Sequence, residues 1–246
     1  MRPIISTIVM AFNETGSLEK TVREIDTTLA ETAKPYEIVI INDGSSDNTG
    51  TIADRLAKGS NRVRVIHHET NRGLGGTYRT GFAHAVGDLV TFFPADGQFP
   101  AKIIKEFLPL MDGADMVLGY LPKRNGSRLS KCLSGAERIL FKILFGPMPK
   151  FQGVFMFKRS LLNAFELMSS GRGWVVVMEF IMRAKIHKYK IISVPTGFRS
   201  RTHGKSKINN LSAICSNLHQ AIMLRWCFKR GRPVIKSKNN ERNVGL

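Results

Sequence analysis

An α/β fold with a mostly parallel sheet flanked by helices is predicted by three observations. Apolar runs at Ile4 to Met10, Tyr36 to Ile41 and Asp88 to Phe93 each stop at a polar or acidic cluster: Asn13-Glu14, Asn42-Asp43 and Asp96. Between the runs lie stretches with apolar residues three or four apart, the spacing of a helix that buries one face. Strand and helix patterns therefore alternate, and strands joined by crossover helices pair in parallel. Ligands of such open sheets bind in the crevice beyond the carboxyl ends of the strands, so the acidic clusters mark the expected site.

In chain order, the strand Ile4 to Met10 precedes a helix from about Ser17 to Ala33, whose Leu18, Val22, Ile25 and Leu29 form one apolar stripe. The strand Glu37 to Ile41, a helix from about Thr49 to Leu56 and the strand Val63 to His67 complete a βαβαβ unit. A helix over Gly75 to Ala85, the buried strand Leu89 to Phe93, a helix beginning near Pro100 and the strand Met116 to Gly119 follow. The pattern then changes to a Lys/Arg-rich linker, Pro122 to Lys131, and an amphipathic run, Leu133 to Phe145, stopped by Gly146, Pro147 and Pro149. Phe151 to Phe157 reads as a short strand, Val175 to Ile186 as a helix, Ile191 to Pro195 as a strand and Arg199 to Lys207 as a loop. Leu211, Ile214, Leu218, Ile222 and Trp226 recur at helical spacing and lead into the basic Lys229-Arg230-Gly231-Arg232. The last residues have the composition of a disordered tail.

With 246 residues the chain can form one large α/β domain with an appended segment, but not two domains of ordinary size. Its formal charge of +18 is uneven: residues 1–120 hold 12 Lys and Arg against 15 Asp and Glu, and residues 121–246 hold 25 against 4, or −3 and +21. A second half of that charge faces an anionic partner, nucleic acid or a membrane surface, unless it is a solvated basic face. Its aromatic residues do not interleave with the basic ones as in a stacking platform, and no helix-turn-helix or zinc spacing occurs, so nucleic acid is not the expected partner. Cys132, Cys215 and Cys227 have no metal-ligand spacing and read as small apolar residues in a reducing compartment. No secretory h-region or cleavage site is evident, and no run reaches the length of a membrane span, so a cytoplasmic location is expected.

The motifs each admit two readings. Asn42 to Thr49 is either a well-capped turn or a strand-end acceptor, Asp43, for a nucleobase or ribose. Asn71-Arg72-Gly73-Leu74-Gly75-Gly76 misses the dinucleotide fingerprint, because the third glycine position falls on Tyr78. It can still offer helix N–H groups to a diphosphate. Asp96 and Gln98 place two hard oxygen donors just after a strand, suited to Mg²⁺ or Mn²⁺ with diphosphate oxygens, although Asp-Gly alone is a common turn. Arg199, Arg201, Ser206 and Lys207 surround Gly204 in what is either a phosphate-binding or a solvated loop.

Taken together, in this order and spacing, these residues resemble family 2 of the nucleotide-sugar glycosyltransferases, and most closely its polyprenyl-phosphate sugar synthases of the dolichyl-phosphate mannose synthase type. Met10-Ala11-Phe12-Asn13-Glu14 is similar to the family's Pro-x-Tyr-Asn-Glu opening, and Asn42 to Asp47 to its Asp-Asp-Gly-Ser-Ser-Asp. Asn71 to Gly75 matches its glycine loop, Ala95 to Gln98 its Asp-x-Asp region, and Arg201 to Lys207 its closing Arg-x-x-Gly-x-Ser-Lys. The likeness covers about residues 4–210. Pro94 stands where the family has its first metal-site Asp, Asn42 replaces another Asp, and no Asp precedes Phe151-Gln152-Gly153.

The resemblance implies a GT-A (Rossmann-like) domain over residues 1–210, with a nucleotide-binding half 1–120 and an acceptor half 121–210, then an amphipathic basic helix 211–232 and a disordered tail 233–246. It implies an inverting enzyme that moves a sugar from a nucleotide-sugar to a polyprenyl phosphate at the cytoplasmic face of the membrane. Ala11, Asn13, Glu14, Asp43, Gly73, Gly75 and Lys207 would bind the donor. Asp96 and Gln98 would hold Mg²⁺ or Mn²⁺, and Asp96, Arg201 and Glu179 would serve catalysis. Arg124, Arg128, Lys131 and Ser134 would take the acceptor phosphate, while the two amphipathic runs lie on an anionic membrane surface or pack in the core. The alternatives are a transferase that elongates a cell-surface glycan at a sugar hydroxyl, with Glu179 as base, and a non-catalytic sugar-nucleotide binder.

Overall fold

The computed structural model describes residues 2–122, 142, 146–169, 171–201, 222, 224 and 225. Its strands are β1 (Ile5–Ala11), β2 (Tyr36–Asn42), β3 (Val63–His67), β4 (Leu89–Pro94), β5 (Met116–Tyr120), β6 (Phe155–Lys158) and β7 (Ile191–Pro195). They form a single sheet in the order β3-β2-β1-β4-β6-β5-β7. Around it lie α1 (Leu18–Ala30), α2 (Thr49–Lys58), α3 (Gly73–His84), α4 (Ile103–Phe107), α5 (Ser160–Ala164) and α6 (Val175–Ile186). Pro109 cannot donate to an α ladder, and beyond α4 the chain tightens into a 3₁₀ turn over Leu108–Asp112.

Every residue of β1 and β2 is buried, as expected of strands covered on both faces. Successive side chains point to opposite layers: Ile38 and Ile40 join Leu18, Val22 and Ile25 of α1, while Val39 and Ile41 join Tyr78 of α3 and Phe180 of α6. The second layer is aromatic, with Phe92 and Phe155 stacked at 5.5 Å and Phe157 edge-on to Phe180 at 4.8 Å. Gly81 lets α3 approach this layer, since a Cβ there would lie 2.6 Å from the Phe92 ring.

Three expectations change. The first helix ends at Ala30 rather than Ala33, which sits at φ +53° and turns the chain toward β2. The strand expected from Phe151 begins only at Phe155. Gly153 has φ +107°, and the Phe99 ring occupies the place of its Cβ, so extended pairing stops short of it. Finally, β4 and β5 are not parallel neighbours: β6 lies between them, antiparallel to both. The remaining pairs, β1 with β2 and β4, β2 with β3, and β5 with β7, are parallel.

The register aligns Ala11 with Asn42, Met10 with Pro94 and Asn42 with His67. Four strands thus deliver their following residues, 12–14, 43–48, 68–72 and 95–98, to one edge.

Candidate active site

The first two loops at that edge are knitted together. Asn13, in the left-handed region at φ +52°, donates its N–H to Ser45 Oγ at 3.0 Å and accepts the Ser46 N–H on Oδ1 at 2.8 Å. The Glu14 N–H bonds Thr49 Oγ1 at 2.8 Å, and the Thr49 N–H bonds Asp47 Oδ1 at 3.0 Å, starting α2. The Asn-Glu and Asp-Gly-Ser-Ser motifs are therefore one folded corner. Ala11 closes it from below, accepting the Asp43 N–H at 2.9 Å.

Asp43 is buried, and its carboxylate accepts three protein hydrogen bonds: His68 Nδ1 at 2.6 Å, the Arg72 N–H at 2.8 Å and Asn71 Nδ2 at 2.9 Å. A carboxylate only accepts, so His68 carries its proton on Nδ1, while Nε2 meets Thr80 Oγ1 at 2.8 Å. A carboxylate offers about four lone-pair sites, and the described residues use three of them. Sequence reading missed His68, and gave Asn71 only as the start of the glycine loop. Their signal was that β3 ends at the same edge as β2.

Gly73 opens α3 at φ +70°. The Gly75 N–H, expected to face a diphosphate, instead donates to the Arg172 carbonyl at 2.8 Å. Gly75 is required for close approach: a Cβ would lie 2.1 Å from the Gly171 carbonyl oxygen. The 171–173 segment of the second half thus lies directly on the glycine turn.

After β4 Gly97, at φ +70°, turns the chain so that the Gln98 N–H reaches Asp96 Oδ1 at 3.1 Å. The turn is held to the sheet by the Ala95 N–H on the Met10 carbonyl and to α1 by Thr21 Oγ1 on the Ala95 carbonyl. The loop after β7 joins it: the Arg199 N–H bonds the Gln98 carbonyl at 2.8 Å, Arg199 pairs with Glu24 at 2.8 Å, and Arg201 pairs with Glu14. Glu14, Asp96 and Arg201, distant in sequence, are therefore neighbours. Burial holds the Asp96 carboxyl above the ordinary aspartate range; the Gln98 N–H and the Arg201 charge oppose this, and the Glu14 charge adds to it.

Among the described residues, no group of three or more His, Cys, Asp or Glu side chains is placed to hold a metal by itself. Mg²⁺ is commonly bound through one or two carboxylates with substrate phosphates and water completing the shell. Asp96, a desolvated carboxylate at the loop edge of the sheet, with the Gln98 main chain beside it, fits that mode.

Glu179 is not among the residues of these loops. It is fully buried in α6, paired with Arg183 at 2.6 Å, and accepts the N–H groups of Met168 at 2.9 Å and Ser169 at 2.7 Å and the Ser169 hydroxyl at 2.6 Å. The catalytic place expected of Glu179 is corrected: among the described residues, every bond drawn to this carboxylate comes from Arg183 or from residues 168 and 169. Arg124, Arg128, Lys131, Ser134 and Lys207, the three cysteines and nearly all of both amphipathic runs lie outside the described residues. No helix of the described residues is long and apolar enough to cross a membrane.

Residues 6–164 match the family described as Glycosyl transferase family 2. A dolichol-phosphate mannosyltransferase of Pyrococcus furiosus is 26% identical over 232 residues, covering 90% of this chain and 64% of its own length. An undecaprenyl-phosphate mannosyltransferase of Micrococcus luteus is 28% identical over 244 residues, covering 93% of this chain and 98% of its own. The chain therefore spans just under two thirds of the first relative and nearly all of the second. Among solved structures, glucosyl-3-phosphoglycerate synthase from Mycobacterium tuberculosis with Mn²⁺, UDP and phosphoglyceric acid superposes with a TM-score of 0.67 at 21% identity, covering 94% of this chain and 80% of that one. The same enzyme with Mg²⁺ and UDP gives a TM-score of 0.64. At such identity the likeness shows the GT-A fold alone. The family match over more than half of the chain, carried on that fold, shows that this glycosyltransferase belongs to glycosyl transferase family 2.

Proposed function

We propose that the chain transfers a sugar, a mannosyl group in its named relatives, from a nucleotide-sugar to a polyprenyl phosphate at the cytoplasmic face of a membrane, with inversion. The nucleotide is assigned to the corner of Ala11, Asn13, Glu14 and Asp43 beside the turn at Gly73–Gly75. Its diphosphate is assigned to Asp96, Gln98, Arg201 and Lys207, and the acceptor phosphate to Arg124, Arg128, Lys131 and Ser134. Mg²⁺ or Mn²⁺ held by Asp96 and Gln98 would supply Lewis-acid relief of the leaving diphosphate's charge. Arg201 adds fixed positive charge to the same leaving group, and the interlocked loops hold the donor still for in-line attack.

The observation that carries the choice of acceptor is the state of Glu179. A sugar hydroxyl must lose a proton to a base, and the carboxylate expected for that task is buried under an arginine and three donors of its own chain. A phosphate monoester is already ionised near neutral pH. It needs positioning and charge compensation, which arginines supply.

The test is incubation with UDP-, GDP- and dTDP-sugars plus a short polyprenyl phosphate, with and without Mn²⁺, scored by mass. A glycosylated lipid phosphate is expected with one donor; glycosylation of sugar acceptors alone overturns the reading. Loss of a general base lowers rates on the order of 10²–10⁴-fold. Glu179→Gln, normalised to folded protein, is expected to stay within about tenfold of the parent, well inside that range.

A further inference from the structure

We infer that Arg172, on the acceptor half of the chain, is a positioning residue for the nucleotide of the donor. This rests on the assignment of the nucleotide to the Asp43 corner. The guanidinium forks onto Asn71, donating to its carbonyl at 2.6 Å and to Oδ1 at 2.5 Å. With Oδ1 so engaged, the Asn71 amide can only turn Nδ2 toward Asp43, where it meets Oδ2 at 2.9 Å and the main-chain carbonyl at 3.1 Å. The Asp43 carboxylate in turn fixes the Arg72 N–H and His68. One exposed arginine thereby sets the orientation of a buried acidic corner through Asn71, its partner 101 residues away in sequence.

The arginine is itself held from both sides. Its carbonyl accepts the Gly75 N–H, and a Cβ at Gly73 would meet that carbonyl oxygen at 2.7 Å. Just before it, the carbonyls of Ser169 and Gly171 accept from Arg79 of α3 at 3.1 and 3.2 Å. The N–H groups of Met168 and Ser169 are tied to Glu179 of α6. The segment is thus pinned between the glycine turn and the buried Glu179–Arg183 pair. That gives the pair a purpose in place of the catalytic one expected of Glu179: it anchors the strap that carries Arg172. A lysine cannot reproduce the fork, because it offers a single point charge and not two parallel N–H donors.

The experiment is titration of UDP and of GDP, each with Mn²⁺, into the full-length protein and its Arg172→Ala and Arg172→Lys variants by calorimetry, with melting temperatures and acceptor KM alongside. Losing a pair of hydrogen bonds from a charged donor is expected to weaken nucleotide binding about tenfold in Arg172→Ala, with partial recovery in Arg172→Lys. Acceptor KM stays within about twofold, because the partners of Arg172 are on the donor corner and coupling falls off beyond shared contacts. Asn71→Ala is expected to weaken binding similarly, and the double variant by less than the product of the two. Unchanged nucleotide affinity in Arg172→Ala, whatever its melting temperature, overturns the inference alone. Failure of the parent protein to bind either nucleotide overturns the donor-site assignment and this inference with it.

Discussion

Two carboxylates illustrate how environment assigns roles to like residues. Asp96 lies in a turn at the end of β4, where burial holds its proton more tightly than usual against the opposing charge of Arg201. Glu179 is more deeply buried, yet it is matched by Arg183 and by the donors of residues 168 and 169. Removing Asp96's charge should therefore separate stability from activity. A carboxyl whose folded pKa is raised makes ionisation unfavourable to the fold: the penalty is absent below its unfolded pKa and complete once pH exceeds the folded one. Asp96→Asn is accordingly expected to raise the Tm at pH 7, with the gain over the parent disappearing in acid, while turnover falls on the order of 10²–10³-fold. Thermal scans from pH 3 to 8 beside product assays read both. A lowered Tm at pH 7 together with retained turnover would sink the assignment. Asp43, Asp96, Glu14 and Arg201 were all visible as motif residues, but the Glu14–Arg201 pairing was not, because 187 residues separate them.

The start of α3 shows why an element's position can matter more than its pattern. Its glycines read as a diphosphate cradle, and a helix N-terminus does favour anions. In the fold, the Gly75 N–H is occupied and its missing side chain makes room for residues 171–173. Gly75→Ala should drive a methyl into two backbone carbonyls, since its Cβ would lie 2.1 Å from the Gly171 oxygen and 2.7 Å from that of Gly173. Neither carbonyl can rotate away as a side chain would. Overpacking of this kind costs about 1–3 kcal/mol, a Tm loss on the order of 5 °C for a chain of this size. Differential scanning calorimetry checks it, and a Tm within a degree of the parent would show that the segment yields easily. The α6 helix was legible in its boundaries because Val175 to Ile186 is mostly apolar, broken only by Glu179, Arg183 and Lys185. That same composition gave no sign that Glu179 would be buried against Arg183.

For the molecule as a whole, the decisive quantity is the separation of charge, −3 over residues 1–120 against +21 over the rest. Each Lys or Arg near an anionic leaflet contributes about 1 kcal/mol, a term that salt screens within a Debye length. The protein is expected to sediment with phosphatidylserine-containing vesicles at low ionic strength and to leave them in about 1 M NaCl, where that length is only about 3 Å. Full solubility beside such vesicles at low salt would refute membrane attachment. The layered α/β architecture, the edge to which four strands deliver their loops and the family were all readable along the chain, because apolar runs, helical spacing and motif order are local or one-dimensional properties. The antiparallel insertion of β6, the occupation of Glu179 and the strap that bears Arg172 on Asn71 were not. The first and last depend on which surfaces meet after the second half folds back across the sheet, and contacts between segments far apart in the chain, such as Asn71 with Arg172, leave no periodic trace in either partner. Glu179 is occupied by near neighbours, Arg183 and residues 168–169, but only packing decides that this face of α6 turns inward.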